Sequence, residues 1–188
     1  MFISTEHEFV FLGVPRTGTT SMYTALKKAL PGGIFTGKHD MDIPEEYADY
    51  DVIACVRNPY AREVSHYLYR HTQEKNSLEP ACRYWTFQQY VEWNLDHNIP
   101  PAGYRDSTQS SQLRGSNVTM LLRFENLVDD FNALPVIRKL RIALPMRNVR
   151  LGNDPWQPYY NRKLARRVYD WAREDFDNYN YSEGSWNE

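Results

Sequence analysis

In the stretch FVFLGVPRTGTTSM, residues 9–22, a continuous apolar run breaks at Pro15 and Gly18 and gives way to helical spacing. Phe9 to Val14 has the length and composition of a short strand, and beyond the loop Met22, Leu26 and Leu30 recur on one helical face. The order is strand, loop, helix. A loop in that position presents backbone N–H groups to its interior, and the helix N-terminus adds about half a positive charge. Such a loop is suited to holding an anion.

Outward from this unit the same alternation continues. GGIFTG, residues 32–37, reads as a second short strand, and DVIACV, residues 51–56, as a third and more deeply buried one. The third strand stops at Arg57-Asn58-Pro59, and from Tyr60 to His71 the apolar spacing is helical again. TFQQYVEWNLDHN, residues 86–98, reads as an amphipathic helix, and VTMLLRF, residues 118–124, as a fourth strand leading into a long helical stretch through Leu144. NRKLARRVYDWAREDF, residues 161–176, places Leu164, Val168, Trp171 and Asp175 near one stripe of a terminal helix. Strands alternating with helices predict an α/β fold with a central, mostly parallel sheet flanked by helices. At 188 residues one domain spanning 1–188 is expected, burying roughly 70% of the surface of its unfolded chain. Residues 72–114 are the least regular and are expected to form a lid or an acceptor-binding insertion.

Composition excludes several classes. Twenty-two basic against 24 acidic residues leave a net charge of -2, so neither nucleic acid nor a membrane surface is an expected partner. Any anion site has to be local. Cys55 and Cys82 match no metal-ligand spacing and are expected to be plain thiols. The start MFISTEHEFVFLG carries Glu6 and Glu8 ahead of its apolar run, unlike a signal peptide, and no run reaches the roughly 18 apolar residues of a membrane span. A soluble cytoplasmic protein is expected.

The loop departs from a nucleotide P-loop at one position. In G-x-x-x-x-G-K-[ST] the lysine reaches the outer phosphates and the hydroxyl takes magnesium. Gly13 and Gly18 keep that spacing, but Thr19 stands in place of the lysine and the basic residue has moved inside the loop, to Arg16. Arg16 offers a fixed, fork-shaped donor set for phosphate or sulfate oxygens, and Thr17, Thr19 and Thr20 offer hydroxyls. A plain strand-to-helix turn rich in glycine and threonine would have the same composition. A second signal lies in CVRNPYAREVSHYLYR, residues 55–70, where Arg57 leaves a strand and Ser65 follows within the next helix. That pair is of the kind that binds a second, separate phosphate.

On these residues the chain resembles the sulfotransferases that use 3′-phosphoadenosine 5′-phosphosulfate (PAPS), nearest to their carbohydrate branch. Pro15-Arg16-Thr17-Gly18-Thr19-Thr20 is similar to the family's loop for the 5′-phosphosulfate, with Arg16 where many members have lysine. Arg57, Asn58, Pro59, Ser65 and Tyr67 are similar to its motif for the 3′-phosphate. LLRFENLVDDF, residues 121–131, and the segment 158–181 resemble its last strand and C-terminal helix, and STQSSQL, residues 107–113, is faintly similar to a segment of the carbohydrate branch. The resemblance implies a P-loop-like three-layer fold, PAPS as donor substrate, no required metal, and a small-molecule or glycan acceptor.

Sulfuryl transfer needs alignment and charge stabilisation rather than covalent chemistry. Arg16 is expected to stabilise the transferred group and the leaving phosphate. An acceptor hydroxyl needs a base near neutral pH. The resemblance, in which glycan-modifying members place a basic catalytic residue after the second strand, implies His39 in GKHD for that role, with Glu45 and Glu46 as alternatives. His66 and His71, on the helix carrying Ser65, are expected to be structural, and Glu125 to make a structural hydrogen bond. Arg114 and Arg123 are further candidates for contact with the 3′-phosphate or adenine. Most of Tyr84, Trp85, Tyr90, Trp93, Tyr104, Trp156, Tyr159 and Tyr160 are expected to pack rather than bind. Two rival functions stay open: a P-loop kinase or nucleotide-binding enzyme, opposed by Thr19, and a non-catalytic module that binds PAPS or its desulfated product.

Overall fold

The computed structural model describes residues 1–72, 84–97, 108–145 and 155–188, and these divide into two compact units. The first comprises Met1–Arg57 and Gln112–Arg147, the second Asn58–Ser111 and Asn148–Glu188.

The first unit holds a five-stranded sheet: β1 (Phe2–Ser4), β2 (Phe9–Leu12), β3 (Ile34–Phe35), β4 (Asp51–Val56) and β5 (Met120–Arg123), in the order β3-β1-β2-β4-β5. β2 pairs with β4 and β4 with β5 in parallel, whereas β1 pairs antiparallel with both β2 and β3. The sheet is therefore mixed: its centre is parallel, and β1 adds two antiparallel pairings. β1 went unread because a strand of three residues is too short to show an alternation, and it returns as β2 through Thr5–Glu8, where Glu8 takes a positive φ of 49°.

On β2, β4 and β5, alternate residues Phe9, Phe11, Ile53, Cys55 and Leu122 meet α1 (Thr19–Ala29), α5 (Leu127–Ala133) and α6 (Pro135–Leu140) through Met22, Tyr23, Leu26, Phe131 and Ile137. Their neighbours Val10, Leu12, Val52, Ala54 and Val56 are buried as well. Every position of β2, and Val52 to Val56 of β4, is thus apolar and buried, which explains the unbroken runs in the sequence. The long helical stretch expected through Leu144 is two short helices. Leu134, at φ -57° and ψ 130°, is extended because Pro135 disfavours helical geometry in the residue before it, and Arg141 ends α6 in the left-handed region.

The second unit is helical, built from α2 (Pro59–Thr72), α3 (Phe87–His97), α7 (Arg162–Trp171) and α8 (Arg173–Asn178) around Tyr60, Val64, Tyr90, Leu164, Val168 and Phe176. Tyr60 organises the aromatic part: its ring lies 4.8 Å from Phe176 and 5.1 Å from Tyr160, and its carbonyl accepts from the Tyr160 hydroxyl at 2.9 Å. Asn161 caps α7 by accepting from the Leu164 N–H. The short helix α4 (Gln109–Gln112) is tied to α8 by Asp175, whose carboxylate accepts from both the backbone and side chain of Gln109 and from the Ser110 N–H. Of the stretch expected to form a lid, residues 73–83 and 98–107 lie outside the described residues, and with them Cys82 and Tyr104.

Candidate anion site

The loop between β2 and α1 is shaped by two left-handed residues. Gly18 has a φ of 80°, a backbone conformation that favours glycine, and a Cβ there would also displace the end of the Leu127 side chain. Arg16 has a φ of 69°, an uncommon conformation for a residue with a side chain and one that costs about 1–3 kcal/mol. Strain of that kind is kept where the local backbone geometry is needed. Thr17 is fully buried and its hydroxyl donates to the Val14 carbonyl at 2.8 Å, so this side chain braces the loop from within. Pro15 and Thr19 are buried, while Arg16, Gly18 and Thr20 are half-exposed.

The start of α1 has a positive end and nothing of its own to neutralise it. Its N-cap is Gly18, no side chain caps it, and its first turn contains no acidic residue. α2 is built differently. There Asn58 Oδ1 accepts from the backbone N–H of Tyr60 at 3.0 Å and of Ala61 at 3.5 Å.

Arg57 joins the loop from the end of β4. It is 5% exposed, its Nη1 donates to the Arg16 carbonyl at 3.3 Å, and its guanidinium lies 4.1 Å from the centroid of the Phe124 ring. Phe124 also flanks Gly18, at 3.3 Å from the position of a Cβ. One aromatic face thus supports both the arginine and the turn of the loop. Phe124 was not singled out in the sequence, where it is one apolar residue at the end of a strand.

His39 stands at the same loop. Its Nδ1 lies 2.8 Å from the carbonyl of Gly13, which can only accept, so the neutral ring carries its proton on Nδ1 and leaves Nε2 as the basic nitrogen. Burial lowers its pKa, as do the positive charges of Lys38, the Met1 amino group and Arg16, against the opposing effect of the Gly13 hydrogen bond. A neutral imidazole with a basic Nε2 at physiological pH has the form a general base needs. Glu45 and Glu46, the alternative bases, are exposed in a single turn that follows Pro44.

The structure thus brings Arg16, Gly18, Arg57 and His39 together within the first unit. Ser65 belongs to the second unit, where it is buried on α2. His66 is buried too, because the first turns of α2 are enclosed around most of their circumference, with Arg62, Glu63 and Ser65 buried beside it. Arg114 is exposed, and Arg123 donates its backbone N–H to Asp130 at 2.7 Å. Among the aromatics, Tyr90 and Tyr160 are in the second core with Trp85, Trp156 and Tyr159 packed against it, whereas Tyr84 is exposed. Cys55 is buried and unbridged, and burial pushes its thiol pKa far up. Among the described residues no group of three or more His, Cys, Asp or Glu is arranged to hold a metal, and no helix is long and apolar enough to cross a membrane. No family model, curated protein or solved structure matches the chain significantly.

Proposed function

We propose that this chain is a PAPS-dependent sulfotransferase that moves a sulfuryl group to an acceptor hydroxyl on a carbohydrate. The observation that carries the reading is the uncapped, acid-free N-terminus of α1, with Arg16 in its loop and Arg57 hydrogen-bonded to the carbonyl of Arg16. Arg16 and the backbone N–H groups at the start of α1 fit the phosphosulfate end of the donor, and Arg57 fits its 3′-phosphate. When bound, the donor supplies a sulfuryl group already attached to a stable leaving phosphate.

The roles of the residues follow from their chemistry. The loop N–H groups and Arg16 stabilise charge on the sulfuryl oxygens and on the leaving phosphate. Arg16 remains a cation throughout and acts by hydrogen bonding alone. His39 Nε2 accepts the acceptor's hydroxyl proton as the oxygen–sulfur bond forms and the bond from sulfur to the leaving phosphate oxygen breaks. The products are a sulfate ester, 3′,5′-ADP and the proton on His39. Alignment of this kind supplies roughly 7–11 kcal/mol of such a barrier.

Thermal unfolding with 3′,5′-ADP, compared with ATP and magnesium, tests the donor class. At about 100 times its dissociation constant a ligand adds about 2.7 kcal/mol, which raises the midpoint of a chain of this size by about 5–10 °C. A rise with 3′,5′-ADP that disappears in Arg57→Ala and in Ser65→Ala supports the reading. A rise with ATP and magnesium alone overturns it in favour of a kinase. Binding of 3′,5′-ADP without sulfuryl transfer to any member of a glycan panel points to a non-catalytic module.

A further inference from the structure

We propose that Tyr23 is the positioning residue for His39, holding the histidine segment and the start of the anion loop together through a single phenol oxygen. This rests on reading His39 as the base. Tyr23 lies on α1, is 3% exposed, and packs its ring edge-on against Phe11 and Phe35, each at 5.1 Å. Its hydroxyl donates to the carbonyl of Lys38 at 2.9 Å, one residue before His39, and its oxygen sits against the Gly13 backbone, at the place a Cβ on Gly13 would occupy. Gly13 is in turn the residue whose carbonyl meets His39 Nδ1.

The contacts close a circuit. The Tyr23 hydroxyl packs against Gly13 and donates to Lys38, and the next residue, His39, donates back to Gly13. Gly13 is glycine for the same reason: a Cβ there would fall on the Tyr23 oxygen and the Lys38 carbonyl. Burial raises the Tyr23 pKa, with the nearby Asp40 charge acting in the same direction, so the phenol stays a donor throughout the working pH range. If Tyr23 served for packing alone, phenylalanine would do as well, since Phe11 and Phe35 touch only its ring. The hydroxyl is what ties Lys38 to Gly13 and so fixes which imidazole nitrogen faces the carbonyl.

The experiment is Tyr23→Phe on the full chain, read by imidazole 15N chemical shifts and by kinetics. In the wild type His39 is expected as the Nδ1–H tautomer. In Tyr23→Phe it is expected to move towards the Nε2–H tautomer, with kcat down by about tenfold, a part of the 10²–10⁴ that a general base provides, and the donor KM unchanged. An unchanged tautomer with unchanged kcat in a folded Tyr23→Phe overturns the proposal. If the variant does not fold, the wild-type Tyr23 hydroxyl proton decides: slow exchange with water supports the circuit, and exchange at the solvent rate overturns it. The tautomer needs no substrate, so a shift in a chain that transfers no sulfate upholds the role of Tyr23 and rejects the sulfotransferase reading instead.

Discussion

The guanidinium of Arg57 lies over the ring of Phe124, 4.1 Å from the ring centroid, while its Nη1 holds the carbonyl of Arg16. A cation over an aromatic face in a desolvated setting contributes up to about 2 kcal/mol. Phe124→Leu keeps an apolar side chain beside Gly18 but removes that face. It is expected to weaken 3′,5′-ADP binding about tenfold by calorimetry, and Phe124→Tyr is expected to restore it. Equal affinity in Phe124→Leu and wild type would show that the ring does not orient Arg57.

Arg16 combines a strained backbone with a charge that the proposed chemistry uses. Replacing it by glycine relieves a left-handed conformation, with φ at 69°, that glycine adopts freely. The relief of about 1–3 kcal/mol is partly offset by the greater freedom of glycine in the unfolded chain, about 0.5–1 kcal/mol. Arg16→Gly is therefore expected to unfold at the same or a higher temperature than wild type while losing about 10²–10³ in kcat, the usual effect of removing one transition-state donor. Melting curves and sulfuryl-transfer assays on one preparation check both halves.

The lowered pKa of His39 predicts the pH behaviour. Its ordinary value is 6.5, and burial, followed by the charges of Lys38, the Met1 amino group and Arg16, places the folded value lower. The ring is neutral in both states above that ordinary value. As pH falls below it, the unfolded chain takes up the proton first, so stability declines until the folded value is reached. The acidic limb of kcat/KM should likewise have its midpoint below the ordinary histidine value. His39→Gln is expected to abolish that limb and flatten the stability profile over the same interval, measured by denaturation at a series of pH values.

Asp175 is 1% exposed and accepts from three N–H groups of Gln109 and Ser110. Hydrogen bonds to a charged group contribute about 1.5–3 kcal/mol each, and an amide offers one acceptor oxygen where the carboxylate offers two. Asp175→Asn is expected to cost about 2–4 kcal/mol in urea unfolding. Loss of hydrogen-exchange protection should be greatest at the amides of Gln109 and Ser110.

Much of this protein is legible in one dimension. The runs Phe9 to Leu12 and Val52 to Val56 are legible as strands because every position is apolar and buried, and the helical spacing after Gly18 and Pro59 locates α1 and α2. The break at Arg57-Asn58-Pro59 and the loop from Pro15 to Thr20 were equally plain, since glycine, proline and a side-chain cap act on the backbone within a few residues of themselves. The antiparallel β1 and the division of the stretch after β5 at Leu134 were not read, the first for want of length and the second because a single extended residue leaves the apolar spacing intact.

What only the tertiary structure decided is which distant residues share an atom. Tyr23, Phe124 and Gly13 carry no motif, and each reads as ordinary core or turn. Their roles arise because β2, β4, β5 and α1 bring the Lys38 carbonyl, the Gly13 backbone, the Arg57 guanidinium and the Phe124 ring to the two ends of one loop. Local sequence sets the backbone's conformation through short-range sterics, whereas hydrogen bonds and ring contacts between segments depend on the packing of the whole sheet.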